Sequence, residues 1–273
     1  MMSEPSLAIE KRNNGIATIT LNRPQIHNAF DDKVIAELTE AVSKLDQDDS
    51  VRIIVLAANG KSFSAGADLN WMKRMAGYSW EQNYQDSLQL AGLMQTIHDA
   101  SKTTVAVVQG AAFGGGVGLV ACCDIALASE KALFCLSEVK LGLIPSVISP
   151  YVVKAIGERN AKRYFATAER FDATEAKHIN LIHKIFPHDA LTENVEDFLQ
   201  KALANGPKAM YQAKKLVNLV HNQPINEDLI RETAQRIADI RASKEGKEGV
   251  GAFLEKRPAN WSKTNDNESS NIE

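Results

Sequence analysis

Alternating and continuous runs of apolar residues mark strands through the first half of the chain. They predict strands at Leu7–Lys11, Gly15–Leu21, Val51–Ala57, Thr103–Gln109, Asp124–Ser129 and Leu133–Leu136. The first two runs flank an Asn-Asn-Gly turn, which is typical of a β-hairpin. Val51–Ala57 and Thr103–Gln109 are nearly continuous in apolar residues, so we expect these strands to be buried on both faces.

Apolar residues at helical spacing fill the gaps between these strands. They predict a helix that begins near Asn28, a long helix that ends at Ala100, a helix over Gly114–Cys123 and a helical region that begins at Val147. From about Asn160 to Lys256 the pattern is almost wholly helical. Strand, strand and helix therefore recur in an α/β core, and a helical C-terminal part follows it.

The domain organisation follows from these patterns and from the polar C-terminus. No linker rich in Pro, Gly or Ser and no low-complexity segment interrupts the chain. We expect an α/β core over residues 1–200, a helical region over residues 201–261 and a disordered polar tail over residues 262–273.

Composition and charge exclude several classes of protein. Hydrophobic residues make up 44% and charged residues 24% of the 273 positions, and the formal net charge is only −3. This near-neutral balance argues against binding that depends on neutralising phosphates, as on nucleic acids or membrane surfaces. The N-terminal residues lack a signal-peptide pattern, and no stretch is long enough to cross a bilayer. The three cysteines, Cys122, Cys123 and Cys135, are clustered in an apolar stretch, which indicates reduced thiols. We therefore expect a cytoplasmic protein.

Three consecutive glycines, Gly114, Gly115 and Gly116, lie between a predicted strand and a predicted helix. Glycines at a helix start permit close backbone approach and leave amide N–H groups free to meet negative charge. The turn is compatible with a phosphate cradle, an oxyanion-binding site or a tight packing turn. No P-loop or dinucleotide-binding pattern supports the phosphate interpretation.

A second turn of small residues follows the strand Val51–Ala57. It consists of Ser64, Ala65, Gly66, Ala67, Asp68 and Leu69. Small residues allow an extended ligand to lie against main-chain N–H and C=O groups, whereas Asp68 also suits a helix N-cap. The two turns each follow a buried strand, so together they are able to present two convergent N–H donors to one oxygen.

One carboxylate is a candidate acid or base. Glu138 lies among apolar residues close to Gly142 and Pro145. Desolvation of such a carboxylate raises its pKa towards neutrality, which suits proton transfer. An exposed glutamate at a strand end is the alternative interpretation.

Five motifs together resemble the enoyl-CoA hydratase/isomerase (crotonase) family. They are LNRPQIHNAF, FSAGADL, GAAFGGGVGLVACCDIALASEKALF, SEVKLGLIP and AFLEKRP, in family order from about Ile9 to Trp261. The resemblance implies a spiral of ββα units and a C-terminal helical trimerisation region. It also implies a homo-oligomer, either a trimer or a dimer of trimers.

The resemblance assigns roles to the residues of these motifs. It implies that the amides of Ala67 and Gly115 form an oxyanion hole for the thioester oxygen of an acyl-CoA. It implies no separate cofactor, because coenzyme A is part of the substrate. No metal is expected either, since no His, Asp or Glu pair in the sequence has ligand spacing with a supporting local context. The expected substrate-binding residues are Ser64, Ala65, Gly66, Asp68, Leu69, Met72, Gly114, Gly118, Phe253 and Lys256. The adenine end of CoA is expected at Ser64–Leu69, and Lys256 of a neighbouring subunit is expected near the CoA phosphates.

The chain departs from the family pattern beside the expected site. Hydratases of the family usually carry two glutamates; here the first position is Gly118, and the second is Glu138, preceded by Ser137 where proline is common. The glycine-rich segment common in the family is replaced by Pro145–Pro150. One carboxylate is able to serve water addition or double-bond migration. Hydratase and isomerase therefore stay open, as does a non-catalytic acyl-CoA binder.

The finer match is to the bacterial methylglutaconyl-CoA hydratase branch of leucine degradation. The segments HNAFDD, FSAGADLNWM and GGGVGLVACCD carry it, together with the region around VISP. This resemblance implies hydration of 3-methylglutaconyl-CoA, whose distal carboxylate would position water or bind a basic residue. Lys73 and Arg74 are candidates for that contact, and an ordinary solvated helix face is the alternative. RNA binding is disfavoured by the lack of a basic stripe.

Overall fold

A computed structural model describes residues 5–262 of the chain. In that range the strands are β1 Leu7–Lys11, β2 Ile16–Leu21, β3 Ile53–Ala58, β4 Ser62–Ser64, β5 Thr103–Val108, β6 Ala111–Phe113, β7 Ile125–Ser129, β8 Leu133–Cys135, β9 Arg170–Asp172 and β10 Lys184–Phe186. The α-helices are α1 Asp32–Gln47, α2 Leu69–Met75, α3 Trp80–Asp99, α4 Gly115–Cys122, α5 Ser149–Thr167, α6 Ala173–His178, α7 Leu191–Leu203, α8 Pro207–Val220, α9 Glu227–Ala242 and α10 Lys244–Leu254.

The strands form two sheets. The larger sheet has the order β1-β2-β3-β5-β7-β10, and the smaller has the order β4-β6-β8-β9. Each consecutive pair β3 and β4, β5 and β6, and β7 and β8 contributes one strand to each sheet before the chain turns into a helix. The neighbours within both series are parallel. This is the repeated ββα arrangement that the strand and helix patterns predict.

Burial explains why these segments take their observed form. Ile53–Leu56 of β3 are all buried, as a central parallel strand requires when both of its faces are covered. Helix α1 buries one stripe at helical spacing, which consists of Val34, Ile35, Leu38, Ala41, Val42 and Leu45. Its first turn is capped by Asp31, whose carboxylate accepts a hydrogen bond from the Val34 amide at 3.0 Å.

The structure corrects two expectations from the sequence. The long helix expected to end at Ala100 is instead two helices, α2 and α3. Ser79 and Gln82 form a capping box at the N-terminus of α3, so a separate helix begins there. The region after Asn160 is not wholly helical, since it contains β9 and β10. These strands have three residues each, too few to show a period-two pattern, and they form by pairing with β8 and β7.

The described residues divide into two compact units, with the boundary between Val195 and Glu196. Within the second unit, the Glu245 carboxylate accepts hydrogen bonds from the amides of Lys208 and Ala209 in the first turn of α8. The expected boundary at residue 200 and the oligomerisation role of residues 201–261 stay predictions. The expected disordered tail lies outside the described residues except for Ser262. None of the helices described in residues 5–262 is long and apolar enough to span a membrane.

Candidate active site

The turn after β4 is held rigid by buried polar side chains. The Ser64 hydroxyl donates to the Asn28 carbonyl at 2.9 Å and accepts from the Gly66 amide at 3.2 Å. The Asn28 amide group donates to the carbonyls of Asn59 and Ser62, each at 2.8 Å. Asn28 is 3% exposed, so these bonds cannot be exchanged for water. The sequence indicated Asn28 only as part of the first motif and as a residue near the start of a helix; that helix, α1, begins at Asp32.

Gly66 brings this turn against the glycine-rich turn that follows β6. Its φ is +88°, which favours glycine, and a Cβ here would lie 2.9 Å from the Phe113 carbonyl oxygen and 3.8 Å from the Gly115 amide nitrogen. The two turns that the sequence singled out therefore lie in direct contact. This contact puts the segment around Ala67 next to the start of α4.

The backbone pairing around Phe30 orients the Ala67 amide. The Phe30 amide donates to the Gly66 carbonyl at 2.9 Å, and the Asp68 amide donates to the Phe30 carbonyl at 3.0 Å. Residue 67 is the parallel bridge partner of Phe30, so its own N–H and C=O point away from that segment. Within residues 5–262 no protein acceptor is recorded for the Ala67 N–H.

Helix α4 begins with a free amide at Gly115. Gly114 has φ +51° and ψ −122°, and its amide donates to the Cys135 carbonyl at 2.8 Å. The Gly114 carbonyl turns into the helix and accepts from the Val117 amide at 2.9 Å. Gly115 is the first helical residue, so its N–H has no partner within the helix and lies at the positive end of the helix dipole.

The Glu138 carboxylate lies against this turn. A Cβ at Gly114 would be 3.3 Å from Glu138 Oε1, which is a tight contact, so the carboxylate lies directly against this turn. Glu138 Oε2 is buried, and it has no hydrogen-bond partner in the described part of the chain. Burial raises the pKa of Glu138 above its ordinary value, and a backbone hydrogen bond partly offsets this shift. The carboxylate therefore has one oxygen available and holds a proton more readily than an exposed glutamate.

Asp68 serves the local structure with both of its oxygens. Oδ1 accepts from the amides of Asn70 at 2.7 Å and Trp71 at 3.2 Å, which makes Asp68 the N-cap of α2. Oδ2 pairs with Arg23 at 3.3 Å. The N-cap interpretation of Asp68 thus describes its contacts, and its predicted substrate contact stays a prediction.

Helix α2 and the turn before it carry several of the other predicted substrate residues. Trp71 is buried, and its indole donates to Asp86 at 3.1 Å, whereas Met72 is half-buried and Leu69 is 73% exposed. Arg74 forms an ion pair with Asp32, so its guanidinium already has a partner. Ala65 is exposed, and its amide donates to the His27 carbonyl at 2.9 Å.

Gly118 lies one turn along α4 from Gly114 and is buried. Its surroundings are apolar, and Ile148, which immediately precedes α5, lies against it. No sequence pattern indicated this pairing.

Two predicted substrate residues belong to the second unit. Phe253 is 81% exposed, and Lys256 has a positive φ of 55° just after α10. Their roles in CoA binding stay predictions. No group of three or more His, Cys, Asp or Glu side chains in residues 5–262 is arranged to hold a metal ion.

Comparison with known proteins identifies the family. A model of the family described as Enoyl-CoA hydratase/isomerase matches residues 11–264. The mitochondrial enoyl-CoA hydratase of Pongo abelii is 34% identical over 257 residues, which cover 92% of this chain and 86% of that protein.

Solved structures show the same fold. A crotonase structure from Legionella pneumophila has a TM-score of 0.91 at 50% identity and covers 95% of this chain and 100% of that one. An enoyl-CoA hydratase from Shewanella pealeana has a TM-score of 0.89 at 46% identity, over 94% of this chain and 96% of that one. These matches confirm the fold class predicted from the sequence. With its two glycine turns in contact beside a buried glutamate, the chain belongs to the enoyl-CoA hydratase/isomerase family and has the crotonase fold.

Proposed function

We propose that this protein is an enoyl-CoA hydratase acting on 3-methylglutaconyl-CoA or a similar branched enoyl-CoA, and that it forms a 3-hydroxyacyl-CoA. The observation that carries the proposal is the buried Glu138 carboxylate, whose Oε2 lacks a protein partner and whose Oε1 lies next to Gly114. A family member with this arrangement has an acid/base group next to a helix start that stabilises negative charge.

In the proposed mechanism, the thioester oxygen accepts hydrogen bonds from the amides of Ala67 and Gly115. Glu138 takes one proton from a water molecule whose oxygen adds to C3, and the electron pair of the double bond moves into the thioester as an enolate. Glu138 then returns the same proton to C2. One carboxylate is sufficient for both steps because it is regenerated within each cycle. Loss of one oxyanion donor typically lowers the rate about 100- to 1000-fold.

The substrate choice rests on the finer sequence resemblance and on the chemistry of the site. A distal substrate carboxylate would supply a second acceptor for the attacking water, a role that residue 118 cannot fill because it is glycine. Lys73 is exposed on α2 and is the better candidate to bind this carboxylate, since Arg74 is paired with Asp32. Coenzyme A, as part of the substrate, would lie along Ser64–Leu69.

An enoyl-CoA isomerase is the second candidate function. It is favoured by the same single carboxylate, because lifting a proton from one carbon and returning it two carbons away needs one group. A non-catalytic acyl-CoA binder is the third possibility. The predicted cytoplasmic homo-oligomer, a trimer or a dimer of trimers, belongs to the same proposal.

The test is the loss of conjugated-thioester absorbance when the purified protein meets 3-methylglutaconyl-CoA, with crotonyl-CoA in parallel. Fast loss with the branched substrate and slow loss with crotonyl-CoA is the expected result. A 3-enoyl thioester is the third substrate, and a gain of conjugated absorbance with it alone would establish the isomerase instead. No change with any of the three, together with tight butyryl-CoA binding, would establish the binder.

A further inference from the structure

The space that a side chain at residue 118 would occupy is filled by Ile148. A Cβ at Gly118 would overlap Ile148 Cγ2, and it would lie 2.8 Å from Ile148 Cβ and 3.3 Å from Met94 Cε. Real Cβ atoms essentially never approach other heavy atoms this closely. Ile148 is 2% exposed and Met94 is fully buried. An apolar side chain therefore covers the helix at Gly118 and excludes solvent from it.

This sealed position adjoins the Glu138 carboxylate. Gly118 lies in the first turn of α4, and its amide donates to the carbonyl of the N-cap residue Gly114 at 3.4 Å. Glu138 Oε1 lies against Gly114, and Ile148 lies against Gly118. Ile148 thus forms the apolar wall next to the acid/base group.

The Ile148 side chain has little freedom to move away. Its carbonyl accepts from the amides of Tyr151 at 3.2 Å and Val152 at 3.1 Å in the first turn of α5. Met94, on its other side, packs against Cys122 with a sulfur–sulfur distance of 3.5 Å. A β-branched side chain that is closely packed on a fixed backbone keeps one rotamer, so the wall is rigid.

We infer that Ile148 is a specificity-determining residue that closes the acyl site next to Glu138 and limits it to short, compact acyl chains. This inference rests on the acyl-CoA binding of the proposed function and deepens it. The wall also keeps the enzyme to one carboxylate, because no longer side chain fits at residue 118 while Ile148 is present. Truncating Ile148 to alanine removes three carbon atoms beside Gly118, and we expect the vacated volume to admit a longer acyl chain.

The first experiment measures binding of butyryl-CoA and hexanoyl-CoA by calorimetry. These saturated thioesters cannot be hydrated, so the assay does not depend on turnover. Ile148→Ala should shift the ratio of the two dissociation constants at least tenfold in favour of hexanoyl-CoA, since one methylene is worth about 10- to 200-fold in an apolar pocket. Val152→Ala is the matched control, because Val152 is fully buried one turn further along α5. Its ratio should stay within about twofold of wild type.

The inference would be overturned if the ratio of the two dissociation constants were unchanged in Ile148→Ala, or if it shifted equally in Val152→Ala. Either result would leave acyl-CoA binding by the protein unaffected. Failure of the wild-type protein to bind either thioester would overturn the proposed function, and the specificity role with it. The two failures are therefore distinguishable in one set of titrations.

A second experiment tests the wall without any ligand. Gly118→Ala should lower the melting temperature, because its new Cβ overlaps Ile148. Ile148→Gly removes both overlapping atoms, and residue 148 is the N-cap of α5, where glycine is tolerated. The double variant should melt above the value expected from adding the two single effects. Strict additivity would overturn the assigned contact. If Gly118→Ala alone fails to fold and the double variant folds, the contact is supported; if neither folds, the binding ratio decides.

Discussion

Replacing Glu138 by glutamine separates chemistry from binding, since the two side chains have nearly the same shape. Glu138 Oε2 is buried and has no protein hydrogen-bond partner within residues 5–262, so it is available to exchange a proton with the substrate. An amide is neither a useful base nor a useful acid near neutral pH. In the proposed mechanism both proton transfers pass through Glu138. We therefore expect kcat to fall about 10³-fold or more, equal to about 4 kcal/mol of transition-state stabilisation.

The assay is the hydration rate from the loss of conjugated-thioester absorbance, with butyryl-CoA affinity measured on the same preparations. The affinity of Glu138→Gln should stay within about threefold of wild type, because the proposed oxyanion donors are backbone amides. Glu158→Gln is the control variant, since that side chain is 75% exposed and pairs with Lys162 on the surface of α5. Retention of more than a tenth of wild-type kcat in Glu138→Gln would refute the assignment of the acid/base role.

The raised pKa of Glu138 also sets a pH dependence. Its carboxylate is desolvated in the folded state, so the folded pKa lies above the ordinary value of about 4.5. The protonated form is therefore favoured by folding. Its stability contribution is fully present below the unfolded pKa and is lost as the pH rises through the folded pKa. The melting temperature of Glu138→Gln relative to wild type should rise between pH 4.5 and pH 8, and a constant difference would contradict the burial argument. Hydration should rise with pH through this raised pKa.

Three further predictions concern the turns and the thiols. Gly66→Ala should lower the free energy of unfolding, measured in denaturant, by about 1–3 kcal/mol because residue 66 has a positive φ. Gly92→Ala on α3 is the control: its new Cβ has open space, so it should raise the free energy of unfolding by about 0.5–1 kcal/mol. Equal effects of the two substitutions would contradict the strain argument. Gly115→Ala puts a Cβ 2.5 Å from Phe30 Cζ and should cost about 100-fold or more in kcat. Adding Phe30→Leu should restore folding but not full rate if the amide position matters, and an unaffected rate in Gly115→Ala would remove that donor from the mechanism. All three cysteines, Cys122, Cys123 and Cys135, are buried, and burial raises the pKa of the Cys122 and Cys135 thiols. Because they are buried, none of the three should react with a thiol reagent until denaturant is added. Fast labelling of the native protein would contradict their burial.

Much of the fold could be predicted from local pattern. The β1–β2 hairpin, the α1 stripe and the buried strand β3 have residues whose spacing alone specifies their form. The turns Ser64–Leu69 and Gly114–Gly116 and the carboxylate of Glu138 were also singled out from the sequence. Each follows a predicted strand and has residue types suited to oxyanion binding or proton transfer. Family motifs covering nearly the whole chain then implied the ββα spiral, which the comparisons confirm.

The short strands and the site contacts could not be predicted in this way. β6, β9 and β10 have three residues each, and they are strands only because neighbours supply their hydrogen bonds. The contact between the two glycine turns joins residues far apart in the chain. Ile148 carries no chemical signal, and its place against Gly118 depends on where α5 begins relative to α4.

The sequence by itself therefore determined the succession of the longer elements, and it singled out turns suited to an oxyanion and Glu138 as a candidate acid or base. Hydrophobic period, turn chemistry and motif spacing are local properties, so they are readable along the chain. Only the tertiary structure decided that Glu138 is desolvated with a free oxygen, that the oxygens of Asp68 are engaged in structure and that an isoleucine fills the space at Gly118. Burial, pairing and excluded volume are set by distant segments meeting in space, and no local pattern records them.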